Sequence, residues 1–119
     1  MSNKSQINLY ASAVSIADKG LLILGSSGSG KSELALAMLT HGAKLISDDQ
    51  VLLTNGPNGI TLSAPKPIIG KIEARFIGIL NVPSTTAQLS LVIDLDKDPA
   101  ERLPKKKWHK LQRIKKSSQ

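Results

Sequence analysis

Eight consecutive residues carry the clearest chemistry in this chain. Gly25, Ser26, Ser27, Gly28, Ser29, Gly30, Lys31 and Ser32 fit G-x-x-x-x-G-K-[ST] at every required position. Glycines in such a run let successive backbone N–H groups converge on an anion. A helix opening at the end of the run adds unpaired amides and the positive end of its dipole. The lysine ammonium reaches the β- and γ-phosphates, and the serine hydroxyl joins the coordination of Mg²⁺. The pattern alone also occurs as an unliganded strand–helix turn. Here the four apolar residues 21–24 precede it and an apolar helical stretch follows it, the context that a phosphate-binding loop requires.

Binding a nucleotide is not yet doing anything with it. Phosphoryl transfer also needs a group near the metal and a base for the attacking hydroxyl. Asp48 and Asp49 follow the apolar pair Leu45–Ile46. Adjacent side chains at a strand end point to opposite sides, so the two carboxylates can take two roles. Taken alone, the pair reads first as a solvated turn. Glu73 and Arg75 project together from an extended chain, a carboxylate for a cation beside a guanidinium for phosphate, although alone they read as an exposed ion pair. Asp94, followed by Asp96 and Asp98, reads as an acidic surface loop.

The elements that must position these groups follow from the pattern of apolar residues. Residues 7–17 predict one or two short strands, with Val14 and Ile16 facing the same way. Residues 18–20 signal a turn, and 21–24 a strand buried on both faces. Residues 31–40 predict a well-buried helix that Gly42 ends. A strand starts at Leu45, and a hairpin runs over 51–63 around the turn at 55–59. Pro65 and Pro67 mark a connector, residues 69–82 read as extended with a bend at Gly78, and 89–94 as another buried strand. The class is α/β: a mixed sheet with few helices.

Composition bounds the alternatives. A chain of 119 residues is one domain's worth, and 40% hydrophobic residues is a globular composition. With no Cys there is no disulfide scaffold, thiolate metal site or Cys nucleophile, and two His argue against a His-based metal site. Only 3% aromatic residues argue against stacking platforms for single-stranded nucleic acid. No segment approaches the roughly 20 apolar residues of a membrane span, and no secretory signal is visible, so a cytoplasmic location is expected. The net charge of +7 first suggests a polyanionic partner. Its distribution says otherwise. Residues 1–101 hold 8 Lys/Arg and 9 Asp/Glu, whereas 102–119 hold 8 Lys/Arg and no acid. In that tail Trp108, Leu111 and Ile114 recur at helical spacing, which predicts a partly helical basic segment that docks on the body or on an acidic partner. Nucleic acid ranks last among its partners.

Three stretches together, GSSGSGKSELAL, Gly42 to Asp49 and Ile72 to Leu80, resemble the catalytic domain of bacterial HPr kinase/phosphorylase, in particular the short form that lacks an N-terminal domain. The resemblance implies a phosphate-loop (Walker A) fold related to phosphoenolpyruvate carboxykinase, hexameric assembly as a homo-oligomer, and ATP with Mg²⁺ as cofactors. The implied reaction is phosphorylation of a serine on the phosphocarrier protein HPr, with possible reversal by phosphate. By the resemblance, residues 25–32 hold the nucleotide, with Lys31 on phosphate and Ser32 on Mg²⁺. One of Asp48 and Asp49 is the base, with Asp49 favoured. Glu73 and Arg75 match the metal-binding Glu and the Arg of an E-x-R-G signature. Residues 1–101 are then a nucleotide-binding kinase-like domain and 102–119 the basic tail.

This sequence also departs from the family pattern. Tyr10 stands where the family has a histidine, and a phenol does not exchange its proton near neutral pH as an imidazole does. Phe76 replaces the signature glycine, and the later family segment with its catalytic arginine has no match. The competing expectations are a degenerate member that binds nucleotide as a sensor or interaction module, and a generic NTPase.

Overall fold

The computed structural model describes residues 5–97. Within them, nine strands run β1 (Gln6–Tyr10), β2 (Ser12–Ile16), β3 (Lys19–Leu24), β4 (Lys44–Ser47), β5 (Gln50–Gly56), β6 (Gly59–Ser63), β7 (Lys71–Ala74), β8 (Gly78–Asn81) and β9 (Ala87–Asp94). One helix, α1 (Lys31–Leu39), joins β3 to β4, and a 3-10 turn, Lys66–Ile68, falls on the proline connector. Seven strands form one sheet in the order β1-β5-β6-β9-β3-β2-β4, and β7 and β8 form a separate hairpin. The expected mixed sheet with few helices is what the described residues form. The division at residue 101 and the basic segment 102–119 lie outside them.

β3 and β9 are parallel, whereas the other paired strands of the sheet run antiparallel. Their shared direction brings both carboxyl ends to one edge, where the glycine-rich loop begins. The approach is close: a Cβ on Gly20 would lie 2.6 Å from the Gln88 carbonyl oxygen, so only glycine fits there. The β2–β3 connection is a two-residue turn at Ala17 and Asp18, both with positive φ, as the twist of a tight hairpin demands.

The side chains of β3 alternate between two cores. Leu22 packs with Ala11, Ala13, Ile46, Val51, Leu53 and Leu62, residues from strands far apart in the sheet order, so the sheet curls until its halves meet. Leu21 and Ile23 face the other way, onto Val14, Ala35, Leu45 and Ile72, which seats α1 and the β7–β8 hairpin on that face. The sequence pattern errs in three places. In α1 only Ala35 is fully buried, because the helix covers the sheet with one side and leaves Glu33 and Ala37 exposed. β9 is not continuously buried: a register shift between Leu89 and Leu91 against β3 resets its alternation, burying Val92 and leaving Leu91 58% exposed. Residues 69–82 are not one bent extended stretch. They fold back at Arg75–Ile77 as the β7–β8 hairpin.

Phe76 sits in that turn with φ +69° and is 96% exposed, a left-handed conformation that a bulky residue adopts at a cost. Replacing it by glycine is expected to raise unfolding free energy by about 1 kcal/mol in urea titrations. Leu22→Ala, at a fully buried position, is expected to lower it by about 2–5 kcal/mol. Leu91→Ala should stay within about 0.5 kcal/mol of the parent, since its side chain is largely in solvent.

Candidate functional site

The loop between β3 and α1 takes its shape from two glycines with positive φ, Gly28 at +81° and Gly30 at +101°. Gly30 caps α1 with no side-chain hydrogen bond, so the first-turn amides keep their capacity for an anion. The Ser29 amide donates to the Ser26 carbonyl at 3.0 Å, closing the loop on itself. The Ser29 hydroxyl is buried without a hydrogen-bond partner. Lys31 folds back over the loop, its Nζ donating to the carbonyl oxygens of Gly25 at 2.7 Å and Ser26 at 3.1 Å. A side chain held there lies along the loop's mouth.

The two aspartates part as adjacent strand-end residues must. Asp48 turns inward and is 6% exposed. Its Oδ1 accepts from Ser12 Oγ at 2.8 Å and from Ser32 Oγ at 2.6 Å, and its Oδ2 accepts from the Glu73 amide at 3.1 Å. Asp49 is exposed, with φ +74°, and its carbonyl accepts from the Ala11 amide at 3.1 Å. The same turn that buries one carboxylate therefore presents the other to solvent.

A cleft of about 710 Å³ opens beside the loop. Ser27, Gly28, Gly30, Lys31 and Ser32 of the loop and helix start line it together with Asp49, Glu73 and Arg75. Of the residues singled out in the sequence, Gly25, Ser26, Ser29 and Asp48 do not line the cleft. Asp48 instead reaches it through its hydrogen bond to Ser32. Tyr10 lines the cleft and is 77% exposed. The Arg75 guanidinium lies 5.2 Å from the centroid of the Phe76 ring. Phe76 itself is not among the lining residues, so its ring leaves the cleft open.

Among the described residues no group of three His, Cys, Asp or Glu side chains is gathered to hold a metal. Mg²⁺ takes one or two protein oxygens and relies on water and substrate phosphates for the rest. Ser32 and Glu73 supply oxygen donors on the cleft, with the Asp48 carboxylate directly behind Ser32.

Three residues of this neighbourhood escape sequence reading. Glu33, in the first turn of α1, lines the cleft. Ser12 in β2 is fully buried and meets Asp48, 36 residues away. Asp96 clamps the loop: its Oδ2 accepts from the Ser26 amide at 2.8 Å and its Oδ1 from the Ser26 hydroxyl at 2.9 Å. Asp94 holds Asp96 in turn, accepting from its amide at 3.0 Å. The repeated aspartates after 93 were the one available signal for Asp96. Ser12 had none, since a small polar residue in a strand is unremarkable.

Residues 2–116 match the family model described as the HPr Serine kinase C-terminal domain. An HPr kinase/phosphorylase of Clostridium botulinum (strain Eklund 17B / Type B) is 40% identical over 77 residues, covering 65% of this chain and 25% of that protein. One of Malacoplasma penetrans (strain HF-2) is 32% identical over 95 residues, covering 73% and 32%. The chain thus spans about a quarter to a third of the length of these curated relatives. A solved structure, the Hpr(Ser) kinase/phosphatase from Coxiella burnetii, superposes with a TM-score of 0.72 at 31% identity, covering 82% of this chain and 70% of that one. With a family match over nearly its whole length and a mixed sheet of the same fold, the chain belongs to the HPr serine kinase C-terminal domain family.

Proposed function

We propose that this chain is a Mg·ATP-dependent serine kinase acting on an HPr-like phosphocarrier protein. The observation that carries the reading is the cleft itself, which collects Lys31, Asp49, Glu73 and Arg75 from three separate segments around one phosphate-binding loop. The relatives' names supply the acceptor class.

In this mechanism the loop amides and the first turn of α1 cradle the β- and γ-phosphates. Lys31 leaves the carbonyls of Gly25 and Ser26 for the phosphate oxygens, exchanging neutral acceptors for charged ones. Ser32 and Glu73 would hold Mg²⁺, which when bound would neutralise charge on the phosphates. The acceptor serine hydroxyl approaches Asp49. As the serine Oγ–P bond forms and the bond from the γ-phosphorus to the bridging oxygen breaks, the hydroxyl proton passes to the Asp49 carboxylate and ADP departs. Arg75, on the same cleft, stabilises the transferring phosphoryl group. In phosphorolysis, inorganic phosphate attacks the phosphoserine phosphorus, the serine Oγ–P bond breaks to yield pyrophosphate, and Asp49 returns the proton to the serine oxygen. Asp49 is favoured over Asp48 as the base, because the Asp48 oxygens already accept from three donors.

Homo-oligomeric assembly, up to the hexamer of the family resemblance, and a cytoplasmic location belong to the same proposal. No helix among the described residues is long and apolar enough to cross a membrane. The second reading, a nucleotide sensor without transfer, is favoured by one observation: Tyr10 occupies the cleft at the position of the family's histidine.

Radiolabelled ATP, Mg²⁺ and purified HPr separate these readings. The parent chain is expected to label a serine of HPr, and Asp49→Ala to lower that rate by about 10²–10⁴-fold while keeping nucleotide affinity. Tight nucleotide binding with no transfer by the parent would sink the kinase and leave the sensor. ATP hydrolysis without any acceptor requirement would instead indicate an NTPase. In calorimetric titrations Lys31→Ala is expected to weaken nucleotide binding by at least about tenfold, the loss of a charge-assisted contact.

A further inference from the structure

We propose that Ser12 is a positioning residue that sets the metal affinity of the site through Asp48. The inference rests on the nucleotide-binding reading above and adds a residue to it. The Ser32 hydroxyl has a single proton, and Asp48 Oδ1 accepts it at 2.6 Å. With the proton committed inward, the lone pairs of Ser32 Oγ are left to face a cation. That polarity lasts only while the Asp48 carboxylate keeps its rotation. Two bonds hold it: the Glu73 amide on Oδ2 and the Ser12 hydroxyl on Oδ1 at 2.8 Å.

Ser12 is well placed to act as the fixed point. Its residue is fully buried, so no water stands in for its hydroxyl. Its strand lies between β3 and β4, paired on both edges, with buried Ala11 and Ala13 on either side. The other two partners of Asp48 lie outside the seven-stranded sheet, on α1 and on the two-stranded hairpin. Without Ser12 the carboxylate can turn, Ser32 is free to present its proton outward, and the cation loses a preset ligand. Supporting hydrogen bonds behind a metal ligand typically change metal affinity by about 10–100-fold when removed.

The test uses the full chain and a fluorescent ATP analogue, with binding measured against Mg²⁺ concentration and no acceptor protein present. Ser12→Ala is expected to need about tenfold more Mg²⁺ for its half-maximal effect on nucleotide binding, while metal-free nucleotide affinity shifts less than about twofold. Ser12→Thr, which keeps the hydroxyl, is expected to restore the parent's Mg²⁺ dependence. Should Ser12→Ala fail to fold, Ser12→Cys replaces it, with a weaker donor of similar size and the same direction of shift. An unchanged Mg²⁺ midpoint in the folded variant overturns the inference and leaves the nucleotide site standing. Equal loss of metal-free and Mg²⁺-dependent binding also overturns it, since Ser12 would then be supporting the loop. If the parent itself binds no nucleotide, the underlying reading fails first, and this inference with it.

Discussion

The carboxylate of Asp48 sits almost out of water, and a buried acceptor of that strength must be met by donors on every side. The three that meet it come from a sheet strand, from the start of a helix and from the backbone of a detached hairpin. Because each donor belongs to a different element, satisfying one side chain fixes the relative placement of all three. The start of α1 is thereby registered against the strand that carries Glu73. The gathering of these residues around one cleft is a by-product of satisfying one buried polar group.

That arrangement also sorts the paired aspartates. A single backbone turn, with Asp49 in the left-handed region, sends neighbouring side chains to opposite environments. One is enclosed by donors and structurally committed. The other faces the cleft with access to whatever enters it. The difference between the two adjacent carboxylates here is a matter of burial.

Much of this was legible in the sequence, and the parts that were not share a cause. The glycine-rich loop, the helix after it, the apolar strand before it and the 51–63 hairpin are all written in residues close together along the chain. Short-range periodicity and turn chemistry suffice for them. The course of residues 69–82 was misread because its turn contains Phe76 at a positive φ, where a glycine would have announced the reversal. The alternation of β9 broke at a register shift that only its partner strand defines. Ser12 and Asp96 act across 36 and 70 residues, so no local pattern reports them. Most cleft residues belong to a motif or a paired pattern close together along the chain, whereas Glu33, Ser12 and Asp96 belong to none.

The clamp of Asp96 on Ser26 has a mechanical consequence. The last described turn of the chain, after β9, is fastened to the glycine-rich loop by two hydrogen bonds, and to the end of β3 by the Leu95 amide on the Leu24 carbonyl at 2.8 Å. Tension or displacement arriving along the backbone from beyond Lys97 therefore meets the loop before it meets the core. The exit of the chain from the sheet and the mouth of the binding loop turn on a common pin, so the stiffness of one is inherited by the other.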